Sequence, residues 1–294
     1  MSNEKGQTIV VMGATGLQGG AVARHLLAGG WRVRAVTRNP ASEQAQALSA
    51  LGAEVVQADM ADPESLVPIF DGAYGLFSVQ NPVTSGIEGE IKQGKNVADV
   101  ARKSGIRHVI YGSAGTGRSG TGVPSWESKL VIEAYMKSLA LPLTILRPMA
   151  FMELMTEKKF FAPVSTWHVM PKLMGSAKKV VWLAVDDLGF MVATAFSEPE
   201  QFIGKQLQLA SDARSIDECR TLYREVIGKN PSRFPMPAWM FERYGFVGKD
   251  LSIMWRWLRT ATLDVDTEDT LALHPAAWTV QSWLANQKNA GTLR

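Results

Sequence analysis

At 294 residues the chain exceeds the usual single-domain size, and its 46% hydrophobic and 20% charged residues are ordinary for a globular protein, with no apolar run near the roughly 18 residues of a membrane span. The 31 Lys and Arg are interspersed among 28 Asp and Glu, so a net charge of +3 gives no basic stripe, and neither membrane insertion nor direct nucleic-acid binding is expected. Cys219 is the single cysteine and the four histidines are scattered, which leaves no disulfide framework and no expected metal site. The polar stretch Met1 to Gly6 carries no signal-peptide apolar region, so a cytoplasmic protein is expected.

From Thr8 to Pro148, short β-branched runs alternate with helical segments, the pattern of a parallel sheet covered on both faces. The first strand spans Thr8 to Met12. A helix follows from about Gln18 and stops at Gly29 and Gly30. Further strands are expected at Trp31 to Thr37, Glu54 to Ala58 and Gly75 to Val79, with Asp62-Pro63 capping a helix between the last two. A longer helix from about Ile87 to Ser104 ends at Gly105, and strands at His108 to Gly112 and Leu143 to Arg147 complete the sheet.

Beyond Pro148 the pattern becomes irregular. One further strand pair is expected between Val180 to Leu183 and Gln206 to Leu209, and Ser215-Ile216-Asp217-Glu218-Cys219 reads as a capping box that opens a helix, with Cys219 a packing residue. Seven of the nine tryptophans lie here (Trp167, Trp182, Trp239, Trp255, Trp257, Trp278 and Trp283), chiefly for packing. The expected organisation is residues 1–150 as the main domain and 151–294 mainly as a smaller lobe, with strands allowed to return to the main sheet.

Chemistry concentrates at the end of the first strand. Gly13, Gly16 and Gly19 follow it at three-residue spacing within Gly13-Ala14-Thr15-Gly16-Leu17-Gln18-Gly19, and a helix begins there. Missing side chains let backbone approach a pyrophosphate, and the unpaired amides of the helix N-terminus meet its charge. The reading is an α/β fold: a Rossmann doubly wound parallel sheet with a smaller C-terminal α+β lobe. After the second strand stands Thr37-Arg38-Asn39, where a site for NAD usually has a carboxylate for the ribose 2′-hydroxyl. A guanidinium suits a 2′-phosphate instead, which favours NADP(H), with NAD(H) bound more weakly. Asp59, after the third strand, is placed either to contact adenine or to cap the next turn. Gln80, after the fourth, joins the expected cofactor contacts.

These residues carry a resemblance. GATGLQGG, VTRNP, GAEVVQAD, EIKQGKNVADVARKSGIRHVIY, LRP followed by Phe151, and TVQSWLANQK look like the NmrA-like family of atypical short-chain dehydrogenases, and within it the HSCARG-like NADPH-sensor branch. The resemblance implies that Gly13, Thr15, Gly16, Gln18 and Gly19 hold the phosphates and Arg38 the 2′-phosphate; Leu17, within the same loop, is also expected to contact the cofactor. It also implies that Lys92 and Lys129 approach the cofactor and that Phe151 lies near the nicotinamide. The chain departs from the family pattern at Ala150, where an aromatic is common, and at Glu153-Leu154, where an asparagine is common.

Catalytic short-chain dehydrogenases donate a proton from the tyrosine of Tyr-x-x-x-Lys. Here the segment is Ser125-Trp126-Glu127-Ser128-Lys129, so the lysine is present and the phenol is replaced by a serine. Lys129 is left to anchor a cofactor ribose or to transfer the proton itself, and Ser113 to cap a turn or to polarise a substrate oxygen. Two readings stay open: a redox-sensing regulator with a protein partner, and an NADPH-dependent reductase of a small hydrophobic carbonyl, enone or quinone. Either is compatible with a homodimer.

Overall fold

The computed structural model describes residues 6–156, 165–232, 236–263 and 265–292. Most of the polar N-terminal segment lies outside them. In chain order the elements are β1 (Thr8–Val11), α1 (Leu17–Ala28), β2 (Arg32–Thr37), α2 (Glu43–Ala50), β3 (Glu54–Gln57), α3 (Pro63–Phe70), β4 (Gly75–Ser78), α4 (Pro82–Lys103), β5 (His108–Gly112), α5 (Pro124–Ser138) and β6 (Leu143–Pro148). Then come β7 (Ala150–Phe151), α6 (Met170–Met174), β8 (Lys179–Leu183), α7 (Val185–Ser197), α8 (Pro199–Phe202), β9 (Gln206–Leu209), β10 (Asp212–Ser215) and α9 (Ile216–Ile227). The chain ends through α10 (Ala238–Glu242), α11 (Gly245–Thr260), α12 (Glu268–Leu273) and α13 (Val280–Asn289).

The chain divides into two units that are not consecutive stretches. Unit 1 comprises Met1–Gly117, Ser125–Arg147 and Leu188–Leu207; unit 2 comprises Arg118–Pro124, Pro148–Asp187 and Gln208–Arg294.

Unit 1 is built on a seven-stranded sheet of order β3-β2-β1-β4-β5-β6-β9. Its first six strands are all parallel, and Val10 of β1 sits between Arg34 and Leu76. β1, β4, β5 and β6 are buried along their whole length, as strands covered by helices on both faces must be. One face packs Val10, Leu76, Val109 and Tyr111 against Leu66 and Phe70 of α3, Val97 and Ala101 of α4, and Ile132 and Met136 of α5. On the other face α7 lies against α1 at Gly189, where a side chain would come within 2.9 Å of the Ala21 backbone. The helix punctuation follows the local chemistry. Asp62 accepts from Glu64 N with Pro63 behind it, and Gly30 and Gly105 leave their helices at positive φ. α4 begins earlier than its hydrophobic period suggests, capped by Asn81 and broken at Gly86 (φ +71°).

Unit 2 contains a three-stranded sheet of order β10-β8-β7. This corrects the expected pairing of Val180–Leu183 with Gln206–Leu209. β8 instead pairs antiparallel with β10 (Trp182 against Asp212) and parallel with β7 (Trp182 against Ala150), while β9 joins the main sheet beside β6. The intervening α7 is a crossover that carries the chain away from β8, so strands close in sequence are not neighbours. Ser215 and Glu218 form the expected capping box of α9, and burial pushes the Cys219 thiol up to about 12, leaving a packing residue without nucleophilic character. Among the described residues no helix is long and apolar enough to cross a membrane.

Candidate functional site

The site candidates of unit 1 gather at the C-terminal ends of its strands. The strand order reverses between β1 and β4, which opens the crevice where doubly wound sheets take their ligands. β1 is followed by a turn in which Gly16 N donates to Gly13 O at 2.9 Å and Gly13 holds φ +61°. α1 starts at once. Where Ser42, Asp62 and Asn81 cap their helices with side chains, Gly16 offers none, and the first turn of α1 carries no acid. Its leading amides therefore remain for an anion. A Cβ on Gly19 would stand 2.3 Å from Gly13 O and 2.9 Å from Met12 O, so only glycine allows the helix to start this close to the loop.

Thr15 Oγ1 lies 3.4 Å from Thr37 Oγ1, which ties the loop to the end of β2. Arg38 follows there, exposed, with its carbonyl accepting from Gln57 Nε2; among the described residues its guanidinium has no hydrogen-bond or ion-pair partner. Asp59 accepts from Ala61 N at 2.8 Å, the turn-capping alternative. Two buried side-chain oxygens along the same rim, Gln18 Oε1 and Gln80 Oε1, have no hydrogen-bond partner among the described residues. Buried acceptors are rarely left so unless a ligand or water completes them. As acceptors they call for donors such as ribose hydroxyls or an amide N–H, while the glycine cradle and its leading amides suit the anion; the two together fit a dinucleotide lying across the loop.

Beyond β4 the candidates are engaged with neighbours. Lys129 Nζ donates to Gln80 O at 3.1 Å and to Glu90 Oε1 at 2.9 Å, and Ser128 Oγ donates to the second oxygen of Glu90. Ser113 is buried and donates to Glu133 Oε1 at 2.6 Å; Arg147 Nε donates to the same oxygen at 2.9 Å and its Nη2 to Glu133 Oε2. The Ser113 hydroxyl thus completes a buried ion pair rather than capping a turn. Tyr111, whose ring centroid is 6.0 Å from Lys129 Nζ, offers no substitute for the missing phenol. Its hydroxyl is fully buried, and desolvation together with the Glu90 and Glu133 carboxylates pushes its pKa well above the usual phenol range.

The sequence brings Gly13, Thr15, Gly16, Leu17, Gln18, Gly19, Arg38, Asp59, Gln80, Ser113 and Lys129 to one edge of one sheet. Lys92 is separate from Lys129. It is exposed on α4, in a shallow groove with Glu88, Lys95, Asp99 and Tyr135, two residues along from the buried Glu90. Phe151 belongs to unit 2, half-buried on β7 with Leu183 as its register partner. Glu153, close behind it, accepts from Val185 N at the start of α7, and burial pushes its carboxyl up to about 7.

Glu90, Glu133 and Arg147 escape a reading by motif, yet a signal exists. Glu90 shares a buried stripe with Gly94, Val97, Ala98 and Ala101, and Glu133 with Lys129, Ile132 and Met136. An acid on the apolar stripe of a helix must have a buried partner.

A doubly wound parallel sheet with an uncapped glycine turn at its topological switch defines an α/β protein of the NAD(P)-binding Rossmann type. The chain belongs to the NmrA-like family, whose sequence profile matches residues 5–280. It is 29% identical over 281 residues to the NmrA-like family domain-containing oxidoreductase FrzB of Cladobotryum sp., covering 86% of this chain and 84% of that one. Among solved structures it is similar to the negative transcriptional regulator NmrA in complex with NADP (TM-score 0.77, 19% identity, 98% of this chain and 97% of that one). It is equally similar to Citrobacter sp. triphenylmethane reductase complexed with NADP(H) (TM-score 0.77, 21% identity, 96% and 99%).

Proposed function

We propose that this chain binds NADP(H) on unit 1 and acts as a cytoplasmic redox-sensing regulator of the HSCARG-like kind, reporting nucleotide occupancy to a protein partner. The loop of Gly13, Gly16 and Gly19 with the amides of Leu17 and Gln18 would hold the pyrophosphate, Arg38 the 2′-phosphate, and Gln80 and Lys129 the far half. When bound, the cofactor supplies a hydride. The observation that carries the regulator reading is the commitment of the acid groups: Lys129 is paired with Glu90, Ser113 with Glu133, and Ser125 stands where a phenol would be. Occupancy switches a partner only if the nucleotide binds two states of the protein unequally.

A second reading, reduction of a hydrophobic carbonyl, enone or quinone using Lys129, is favoured by one observation: the curated relative FrzB, matched over most of both chains, is named an oxidoreductase. The deciding measurement follows NADPH absorbance against a panel of quinones, enones and aldehydes. The regulator binds NADPH in calorimetry and consumes none; turnover that disappears in Lys129→Ala overturns it.

Arg38 sets the cofactor preference in either reading. Arg38→Asp removes a charge-assisted contact of roughly 1.5 to 3 kcal/mol, about ten- to a hundredfold, and offers the NAD ribose an acceptor. The NADP-to-NAD affinity ratio should fall by that factor, and an unchanged ratio in calorimetry removes Arg38 from the site.

Restoring the acid tests the other end. Ser125→Tyr places a phenol one turn before Lys129 on α5, on the same helix face. A neighbouring ammonium lowers a phenol from its usual pKa of about 10 toward working pH. Carbonyl reduction should appear or rise in Ser125→Tyr, and Ser125→Ala should leave any activity unchanged. Loss of an existing activity in Ser125→Ala would instead give the serine a part in proton transfer.

A further inference from the structure

Glu90 is the most completely buried acid beside the site, at 0% exposure, and neither of its oxygens is spare. Oε1 accepts from Lys129 Nζ at 2.9 Å and Oε2 accepts from Ser128 Oγ at 2.5 Å. Lys129 is itself 7% exposed, and its ammonium has a second fixed acceptor, Gln80 O at 3.1 Å. An ammonium has three N–H donors at tetrahedral angles. With two of them held by a backbone carbonyl and a buried carboxylate, the direction of the third is no longer free.

We propose that Glu90 is a positioning residue: with Gln80 O it aims the third N–H of Lys129, and by neutralising the ammonium it suits that donor to the neutral hydroxyls of a ribose rather than to a phosphate. This rests on the NADP(H)-binding reading of the same site. The topology says which ribose. Arg38 ends β2 on one side of the switch point, and the uncapped α1 stands at β1 in the middle. A dinucleotide held by its 2′-phosphate at β2 and its pyrophosphate at α1 must extend its other half over β4 and β5. Gln80 follows β4, and Lys129 reaches it from α5. The cations that the site presents therefore divide the work: Arg38, without an acidic partner among the described residues, takes the phosphate, and Lys129, already paired, takes hydroxyls.

The test uses two ligands that share the phosphate-bearing half and differ in the other: NADP+ and 2′,5′-ADP, which has no nicotinamide ribose. Calorimetric affinities are measured for the intact protein and for Glu90→Gln, Lys129→Met and the double variant. Glu90→Gln should weaken NADP+ by about tenfold and leave 2′,5′-ADP within about twofold. In the Lys129→Met background it should have no further effect on NADP+, because a positioning residue acts only through what it positions. Equal losses for both ligands, a loss that persists without Lys129, or no loss at all would overturn the assignment. Should Glu90→Gln fail to fold, Glu90→Asp keeps the charge but withdraws it by one methylene, and the same selective loss is expected. A native protein that binds neither ligand fails the NADP(H) reading itself, and the assignment with it; binding of both with no selectivity in the variants fails the assignment alone.

Discussion

Valine at Gly16 or Gly19 is expected to abolish NADP(H) binding, and the two positions should differ in what else they lose. Both side chains would occupy the volume in which a pyrophosphate meets the leading amides of α1. Losing two charge-assisted contacts of about 1.5 kcal/mol or more each lowers affinity at least about a hundredfold. At Gly16 a new Cβ meets Gly13 O at 3.2 Å, a contact relieved by a small shift, so the melting temperature should stay near that of the native chain. At Gly19 the Cβ is driven to 2.3 Å from Gly13 O and 2.6 Å from the Gly13 carbonyl carbon, both rigid backbone, and the turn must open. Gly19→Val should therefore lose thermal stability as well. The check is calorimetric titration beside a melting curve; native affinity in a folded Gly16→Val would remove the loop from the binding site.

The second large effect concerns stability. Glu133→Ala leaves the Arg147 guanidinium buried, at 8% side-chain exposure, with its carboxylate gone and the Ser113 hydroxyl without its acceptor. Breaking a buried ion pair from one side costs about 3–5 kcal/mol. In a chain of this size that is on the order of 10 °C in melting temperature. Replacing both members, as in Glu133→Leu with Arg147→Met, should recover most of the loss, because the cost lies in the stranded charge and not in the absent attraction. A Glu133→Ala variant that melts within about 2 °C of the native chain would show that the pair is solvated. Ser113 then becomes free to meet a substrate oxygen, and the case for an enzyme strengthens.

The parallel sheet was legible in the sequence because its first six strands are short runs centred on apolar or β-branched residues and set off by glycine, proline or capping residues. The glycine turn was legible because its spacing directly follows a buried strand. Pairing beyond β6 was not. Val180–Leu183 is a continuous apolar run and Gln206–Leu209 alternates polar with apolar residues, and neither pattern names the sheet its strand will join; the crossover α7 that separates them reads in the sequence only as one more apolar helix. The engagement of Lys129 and Ser113 was hidden for a related reason. A motif names residues near one another in the chain, whereas Glu90 reaches Lys129 across 39 positions and Arg147 reaches Glu133 from another element. The family profile extends over residues 5–280, well past the glycine turn that begins the resemblance.

The interleaving of the two units sets a schedule for synthesis. Nascent chains commonly fold domain by domain as they emerge, the N-terminal part first. Here the strand that completes the seven-stranded sheet begins at Gln206, and the helix that covers α1 belongs to residues 185–197. When residue 150 has left the ribosome, six strands are available, but β6 is still an open edge and one face of α1 is bare. Unit 1 must wait in that state while the Pro148–Asp187 segment of unit 2 and the return segment up to β9 are translated, about 3–11 s at common elongation rates. An exposed parallel edge is a template for pairing with another chain. Truncation near residue 150 would make the waiting state permanent, so an isolated nucleotide-binding half should aggregate rather than fold, and dissection of this protein has to preserve the return segment Leu188–Leu207.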